Sequence, residues 1–226
     1  MKKVLLINHH GAFDSGFVSE ILFNAHFFIT IIKSIDVECL KLNDIKSFNL
    51  VIFLGGNASA NDRSASIKSE FNLIEILAKY KIPTMGICLG AQLISKFYGS
   101  KIISNLNKKS EIGYRQIVEP NLKIFNKNNT TFMQFHNQGI CYNNFMDVLG
   151  YGRSFEIDAF KIKKMPFYGF QFHPEVDKAT IHRWYLSNSE PSSKYKDSLN
   201  KSLKNFTKFS DSNYSWLKKF LLRISN

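Results

Sequence analysis

Cysteine is scarce in this 226-residue chain, and the three that occur are scattered at Cys39, Cys88 and Cys141. An odd, scattered set of this size excludes a disulfide framework and is typical of a reducing compartment. Long apolar runs are also missing near the start, because residues 4–7 are too few for a signal peptide or a bilayer span. We therefore expect a cytoplasmic protein without a membrane partner.

Acidic residues are also scarce, since 18 Asp and Glu stand against 30 Lys and Arg, for a formal net charge of +12. Residues 187–226 hold eight of these cations and three of the anions, and residues 1–186 carry the rest without a basic block. Neither zinc-ligand spacing nor an RNA-binding signature accompanies the charge. A lysine-rich solvated surface therefore explains the charge better than a nucleic-acid partner does.

Four histidines fall outside any motif, and we expect them to be ordinary surface or core side chains: His9, His10, His26 and His182. His9 and His10 are adjacent, which makes them a poor pair of metal ligands. We predict no metal site and no cofactor.

What the chain does contain is a cysteine flanked by glycines, Gly86-Ile87-Cys88-Leu89-Gly90, between an apolar run and a helix-compatible run. Glycines let a strand and a helix approach closely in a tight turn, as in a nucleophile elbow. Such a turn presents the sulfur at the start of a helix, where the dipole favours the thiolate. A buried structural cysteine is the alternative that this segment alone leaves open.

Strand-like and helix-like patterns alternate through the first half of the chain and predict an α/β protein with a doubly wound, mostly parallel sheet. The predicted strands cover residues 3–8, 37–42, 50–54 and 83–88. The predicted helices cover residues 17–32, 64–80 and 91–97. Both the Gly55-Gly56 loop and Cys88 follow strand ends, where such sheets carry their functional loops.

The second half predicts antiparallel strands added to the same sheet, over residues 116–118, 131–135, 148–151, 155–160 and 167–172. A helix capped by Asp177 is expected to follow, and residues 187–198, rich in Ser, Lys and Pro, indicate a mobile connection. Residues 216–224 then predict an amphipathic helix that packs back on the protein. We divide the chain into a domain of residues 1–186 and a basic extension of residues 187–226.

A cysteine nucleophile needs a base, and the base needs an orienting group. His173-Pro174-Glu175 follows a predicted strand, so it can lie at the same edge of the sheet as Cys88. The carboxylate two residues from the imidazole can fix its tautomer and stabilise the imidazolium. Taken alone, this segment would be read as a surface His-Pro turn.

Taken together, these segments resemble the class I, triad-type glutamine amidotransferases over residues 3–186. Four segments carry the resemblance, in the order and at the separations that the family shows: residues 54–59, 86–92, 111–113 and 169–175. The resemblance is strongest to stand-alone members related to the glutaminase domain of GMP synthetase. It implies a flavodoxin-like fold.

The resemblance also implies roles for individual residues. Cys88 would attack the carboxamide carbon of glutamine and form a γ-glutamyl thioester, with His173 as base and then acid, and Glu175 orienting His173. The backbone N–H groups of Gly56 and Leu89 would form the oxyanion hole.

Gln92 would contact the amino-acid end of the substrate, as would the segment His136-Asn137-Gln138. Two departures from the family pattern stand out. Asn57 replaces the proline that usually follows the two glycines, and His136-Asn137-Gln138 stands where the family has His-Gly-Asp. A side chain in place of that glycine can reshape the pocket.

Three functions are compatible with these residues. The first is hydrolysis of glutamine to glutamate and ammonia for an amidotransfer reaction, with a separate synthetase subunit as the partner that receives ammonia. The second is a γ-glutamyl hydrolase acting on a larger conjugate, which the altered 136–138 segment motivates. The third is a non-catalytic regulatory module on the same fold.

Overall fold

The structure, a computed structural model, describes residues 1–9, 15–104, 110–126, 129–187 and 193–225, without side chains over 193–197. The strands are β1 (Lys3–Asn8), β2 (Phe28–Lys33), β3 (Leu50–Phe53), β4 (Thr84–Ile87), β5 (Ile102–Ser104), β6 (Glu111–Gln116), β7 (Thr131–His136), β8 (Gln138–Ile140), β9 (Met146–Tyr151), β10 (Ile157–Ile162) and β11 (Phe167–Phe170). The helices are α1 (Gly16–Asn24), α2 (Leu42–Lys46), α3 (Ala65–Tyr80), α4 (Leu89–Phe97), α5 (Lys178–Ser187) and α6 (Ser193–Ile224). A 3₁₀ helix spans Ser34–Cys39.

A mixed sheet of nine strands, counted over the described residues, forms the centre of the molecule in the order β2-β1-β3-β4-β11-β10-β8-β5, with β9 also paired to β10. The strands from β2 to β11 pair in parallel, and β10, β8, β5 and β9 add antiparallel pairs. The predicted α/β class with a mostly parallel sheet is confirmed.

Side chains of the central strands alternate between two apolar layers, one on each face of the sheet. Leu5 and Ile7 pack with α3 and α4 on one face. Val4 and Leu6 pack with α1 and the C-terminal part of α6 on the other face. A strand buried on both faces reads as a continuous apolar run, which is why β1 and β3 could be predicted from the sequence.

Helix α3 and the strand that follows it agree with the prediction, because their boundary signals are local. Ser64 caps α3 by accepting a hydrogen bond from the backbone N–H of Ile67 at 3.3 Å. The cap at the other end, Lys81, adopts a left-handed conformation that ends the helix before β4.

Two predictions between β1 and β3 are wrong. The helix expected over residues 17–32 ends at Asn24, and the β-branched run Phe28–Lys33 forms β2, which pairs in parallel with β1. The strand expected over residues 37–42 is a 3₁₀ helix followed by α2. Branched residues at positions 29, 31 and 32 satisfy both a helical and an extended pattern, and pairing with β1 decides between them.

The second half differs from the prediction in one respect of topology. Strands β6 and β7 form a separate two-stranded sheet instead of joining the main sheet, and an isolated bridge from Met133 on β7 to His173 links this sheet to the segment after β11. The runs expected at 148–151, 155–160 and 167–172 lie in β9, β10 and β11 with shifted ends. The strand predicted over residues 116–118 is wrong except at Gln116, where β6 ends, and the short strands β5 and β8 were not predicted.

The predicted mobile connection over residues 187–198 is contradicted from Ser193 onward, because α6 already begins there. The phenol oxygen of Tyr185 lies 3.1 Å from Oγ of Ser198 and 2.8 Å from Oγ of Ser202, which joins α5 to α6. Residues 188–192 lie outside the described part of the chain. The expected packing of residues 216–224 is confirmed, since Trp216, Leu217 and neighbouring apolar residues are buried.

Candidate active site

Cys88 lies in a strained turn between β4 and α4. Its backbone adopts φ 50° and ψ −106°, a conformation that residues with side chains rarely occupy and that clusters at functional sites. A Cβ on Gly86 would lie 2.4 Å from the carbonyl carbon of Gly90, and one on Gly90 would lie 2.2 Å from the carbonyl oxygen of Phe53. The two glycines therefore allow the close approach that the sequence pattern predicted.

His173 follows β11, the strand beside β4, and this adjacency brings it to Cys88. Both side chains lie close to Gly55. A Cβ built on Gly55 would lie 2.7 Å from Cε1 of His173 and 3.6 Å from Cβ of Cys88. Nδ1 of His173 lies 2.7 Å from Oε1 of Glu175, and both residues are buried. The Trp184 ring packs edge-on against the imidazole, with centroids 4.5 Å apart.

The charge state of His173 results from opposing influences. Burial lowers the pKa of the imidazole, but the Glu175 carboxylate and the Cys88 sulfur more than offset this effect and raise the pKa of His173 to about 10. The imidazole is therefore protonated at neutral pH. Cys88, His173 and Glu175, predicted from separate parts of the sequence, thus lie together as a Cys-His-carboxylate cluster that can form a thiolate–imidazolium pair.

The start of α1 holds the backbone of Glu175. The N–H of Phe17 donates to the carbonyl oxygen of Glu175 at 2.7 Å. Gly16 has φ 44°, and a Cβ there would lie 2.0 Å from that same oxygen. Only glycine fits at this position, so the loop after β1 contributes to the site through backbone contacts.

A cavity of about 380 Å³ opens beside Cys88. Its walls include the predicted oxyanion residue Gly56 and all four predicted substrate contacts, Gln92, His136, Asn137 and Gln138. The other predicted oxyanion residue, Leu89, is the first residue of α4, so its N–H has no acceptor within the helix. Asn57 also lines the cavity.

Glutamine side chains connect the cavity wall to the sulfur. The amide nitrogen of Gln92 donates to the carbonyl oxygen of Gln138 at 3.1 Å and to Oε1 of Gln171 at 3.2 Å. The amide nitrogen of Gln171 in turn lies 3.7 Å from Sγ of Cys88. Sequence reasoning did not single out Gln171, although it belongs to the 169–175 motif.

A buried polar chain behind the cavity was also missed. The imidazole of His136 lies between the carbonyl oxygen of Gln138 and the side chain of Gln134, 2.9 Å from each, and Gln134 contacts Asp158 at 2.8 Å. Burial lowers the pKa of His136 to about 3, so this imidazole is neutral. Burial, reinforced by the negative charge of Glu111, raises the pKa of Asp158 to about 7. Gln134, His136 and Gln138 lie close together on β7 and β8, but Glu111 on β6 and Asp158 on β10 are distant in the sequence, so no local signal joins the whole chain.

The residues described by the structure contain no group of three or more His, Cys, Asp or Glu side chains arranged to hold a metal ion. Over the same residues, no helix is both long and apolar enough to cross a bilayer. The predicted absence of a metal and of a membrane partner stays a prediction.

Comparison with known proteins gives concordant results. The sequence model of the family described as glutamine amidotransferase class-I matches residues 22–189. The chain is 32% identical to a subunit of the glutamine-hydrolysing GMP synthase of Methanococcus aeolicus over 140 residues, which cover 60% of this chain and 69% of that protein. It is 31% identical to the GMP synthase of Ehrlichia canis over 166 residues, which cover 68% of this chain but 30% of that longer protein.

Among solved structures, a glutamine amidotransferase from Thermotoga maritima superposes on the chain with a TM-score of 0.87 and 24% identity, covering 100% of this chain and 98% of that one. A glutamine amidotransferase from Methylobacillus flagellatus gives a TM-score of 0.81 at 18% identity, covering 96% of this chain and 92% of that one. At these identities the likeness concerns the fold, which is the class I glutamine amidotransferase fold.

Proposed function

This chain belongs to the glutamine amidotransferase class-I family, and we propose that it hydrolyses the side-chain amide of glutamine through Cys88, His173 and Glu175. The observation that carries the proposal is the convergence of a strained, buried cysteine with a buried His173–Glu175 pair whose nitrogen and oxygen lie 2.7 Å apart. Glutamate and ammonia are the products, and the ammonia serves an amidotransfer reaction.

The proposed reaction begins with attack of the Cys88 thiolate on the carboxamide carbon. Because Nδ1 of His173 is bonded to Glu175, its Nε2 is the edge that carries the proton toward the reacting atoms. The tetrahedral intermediate collapses when the imidazolium gives this proton to the leaving nitrogen, which releases ammonia and leaves a γ-glutamyl thioester. The now neutral imidazole takes a proton from water, which attacks the thioester, releases glutamate and restores the starting pair.

The negative charge of each tetrahedral intermediate needs donors that are in place before the reaction. We assign this role to the backbone N–H groups of Gly56, in the loop after β3, and of Leu89, at the start of α4. Loss of one such donor lowers the rate by about 10²–10³-fold.

We assign recognition of the substrate's amino-acid end to Gln92 and to the segment His136-Asn137-Gln138. The amide nitrogen of Gln92 is engaged by Gln138 and Gln171, so its oxygen is the atom that can accept from a substrate ammonium. Asn137 is exposed at the cavity and can hydrogen-bond a ligand through its amide.

Relatives described as one subunit of a glutamine-hydrolysing GMP synthase support a separate synthetase subunit as the partner that receives the ammonia. The decisive measurement is ammonia release from glutamine by the purified chain, alone and with such a synthetase. Cys88→Ser should abolish release, while Cys39→Ser and Cys141→Ser should leave it unchanged, because neither side chain lines the cavity. Equal turnover by Cys88→Ser and the wild type would refute the assignment of the nucleophile.

One observation keeps the γ-glutamyl hydrolase in consideration. The cavity of about 380 Å³ lies within the ~300–1,000 Å³ range of pockets for drug-sized ligands, so it can admit a substrate larger than glutamine. Comparing kcat/KM for glutamine with that for γ-glutamyl dipeptides separates the two activities. We expect glutamine to be the better substrate, and a strong preference for the conjugates would favour the hydrolase.

A further inference from the structure

A second buried histidine–glutamate pair lies beside Gly56, one of the two predicted oxyanion residues. His9 follows β1 and Glu70 lies on α3, with Nε2 of His9 2.5 Å from Oε1 of Glu70. Their side chains are 3% and 0% exposed. We propose that His9 and Glu70 are positioning residues that hold the N–H of Gly56 in place for the oxyanion, an inference that rests on the proposed function.

The contact that carries this inference is between His9 and Gly56. A Cβ built on Gly56 would lie 2.5 Å from Cβ of His9 and 3.1 Å from its Cγ. The same Cβ would lie 2.9 Å from Cδ2 of Leu89, the residue that carries the other proposed donor. The side chains of His9 and Leu89 therefore both pack against the Cβ side of Gly56, so a change in the position of His9 should change the position of Gly56.

Glu70 fixes the position of His9. It is fully buried on the face of α3 that carries Ile67, Leu73 and Ile74, in an otherwise apolar layer. A single hydrogen bond to a rigid helix leaves the imidazole little freedom to tilt away from Gly56.

The His9–Glu70 pair is energetically unfavourable as packing within an apolar layer. Nδ1 of His9 and Oε2 of Glu70 are both buried and have no partner among the described residues. Buried polar atoms without partners destabilise a fold, so a pair of apolar residues of similar volume would fill this space at a lower cost. A pair whose contribution to stability is this poor, placed against the oxyanion loop, is better explained by the geometry that it imposes there.

The consequence for catalysis is specific. If His9 moves, the Gly56 donor moves, and stabilisation of the tetrahedral intermediate weakens while Cys88 and His173 stay in place. We expect Glu70→Ala to lower kcat for glutamine by at least about 10-fold, up to the ~10²–10³-fold loss typical of a deleted oxyanion donor, with little change in KM. Glu70→Gln keeps an acceptor oxygen for His9 and should retain most of the activity.

Two further measurements separate positioning from general damage. Alkylation of Cys88 by iodoacetamide forms no oxyanion, so its rate should be the same in the wild type, Glu70→Ala and Glu70→Gln. Amide hydrogen exchange of the segment 54–59 should be faster in Glu70→Ala and in His9→Ala than in the wild type. The matched control is Glu75→Ala, which removes an exposed carboxylate from the same helix and should change none of these quantities.

The outcomes are distinguishable from failure of the proposed function itself. If the wild type releases no ammonia from glutamine, the function fails, but exchange in the segment 54–59 still decides whether the pair positions the loop. Unchanged exchange in His9→Ala and Glu70→Ala would overturn the inference. So would a parallel loss of turnover and of alkylation in Glu70→Gln, because that pattern indicates a general disturbance of the site.

Discussion

Glu175 acts only through His173 in the proposed reaction, and one buried hydrogen bond of 2.7 Å joins the two side chains. The carboxylate favours the imidazolium, and the imidazolium in turn favours the Cys88 thiolate. Glu175→Gln should therefore slow alkylation of Cys88 by iodoacetamide at neutral pH, and His173→Ala should slow it further. Turnover should fall in the same order, because His173→Ala removes the proton carrier itself.

The pH dependence of alkylation gives a sharper test of the same pair. With the pKa of His173 raised to about 10, the wild-type imidazolium persists through neutral pH. Without the carboxylate the pKa of His173 falls, so in Glu175→Gln the imidazolium is lost at lower pH. Glu20→Gln, on the exposed surface of α1, is the control. Identical alkylation rates in all variants would mean that the pair does not activate Cys88, and the triad assignment would have to be abandoned.

The buried carboxyl group of Asp158 predicts how the stability of the protein depends on pH. Its pKa is raised from 3.8 to about 7 by burial and by Glu111, so the protonated form is favoured in the folded state. That stabilisation is fully present below the unfolded pKa and is lost as the pH rises from about 4 to about 7. Asp158→Asn cannot ionise, so the variant should gain stability relative to the wild type over this interval, by an amount on the order of 4 kcal/mol.

A reversed side-chain amide of Gln134 would let the buried chain accommodate a neutral Asp158. Neutral His136 donates from Nδ1 to the carbonyl oxygen of Gln138, so its Nε2 needs a donor. In the structure the Gln134 nitrogen donates to Oδ2 of Asp158 at 2.8 Å, and its oxygen lies 2.9 Å from Nε2 of His136. With the amide reversed, the nitrogen would donate to Nε2 of His136 and the oxygen would accept from protonated Asp158. Urea unfolding of both proteins at pH 5 and pH 8 measures the effect. A stability difference that does not vary with pH would contradict it.

At the scale of elements, the start of α1 supports the carboxylate that holds His173. Gly16→Ala would place a methyl group 2.0 Å from the carbonyl oxygen of Glu175, at a φ of 44° that alanine disfavours. We expect this variant to fold with reduced stability and to lose at least about 10-fold in kcat, because Glu175 must shift. Gly99→Ala is the matched control, since Gly99 also has a positive φ of 94° but has no atom within 4 Å of the added Cβ.

If Gly16→Ala and Gly99→Ala reduced turnover equally, backbone strain alone would explain the loss. A larger loss in Gly16→Ala, with stability reduced similarly in both variants, would show that the contact with Glu175 matters.

Elements with local signals could be predicted from the sequence, and elements that depend on distant partners could not. The β3-α3-β4-α4 unit has a capping serine at Ser64 and two glycines that permit close approach around Cys88, so sequence and structure agree there. Strand β2 was misread as helix because its edge position is fixed only by β1. The same reason applies to the contact of Gln134 with Asp158, because it joins β7 to β10, which are distant in the sequence.

At the scale of the whole molecule, the C-terminal helix α6 lies against the parts of the chain that carry the site. Trp216 stacks on Phe125 with ring centroids 5.3 Å apart and contacts Phe170 edge-on at the same separation, and its indole N–H donates to the carbonyl oxygen of Ile124 at 2.8 Å. Phe172, next to His173, stacks on Phe132 at 4.2 Å and also contacts Trp216. An aromatic cluster thus connects residues 216–220 to the segment that ends in His173.

This connection predicts that α6 unfolds together with the rest of the protein, although the sequence suggested a domain of residues 1–186 with an extension of residues 187–226. Trp216→Ala should lower the free energy of unfolding by about 3–5 kcal/mol, since the indole is 5% exposed and leaves a large cavity. Lys218→Ala, an exposed neighbour on the same helix, should change it by less than about 0.5 kcal/mol. Urea unfolding monitored by tryptophan fluorescence and by circular dichroism should give one shared transition in both variants. Two separate transitions, with Trp216→Ala shifting only the first, would instead support an independent extension, because the cluster around Phe172 would then keep its stability without α6.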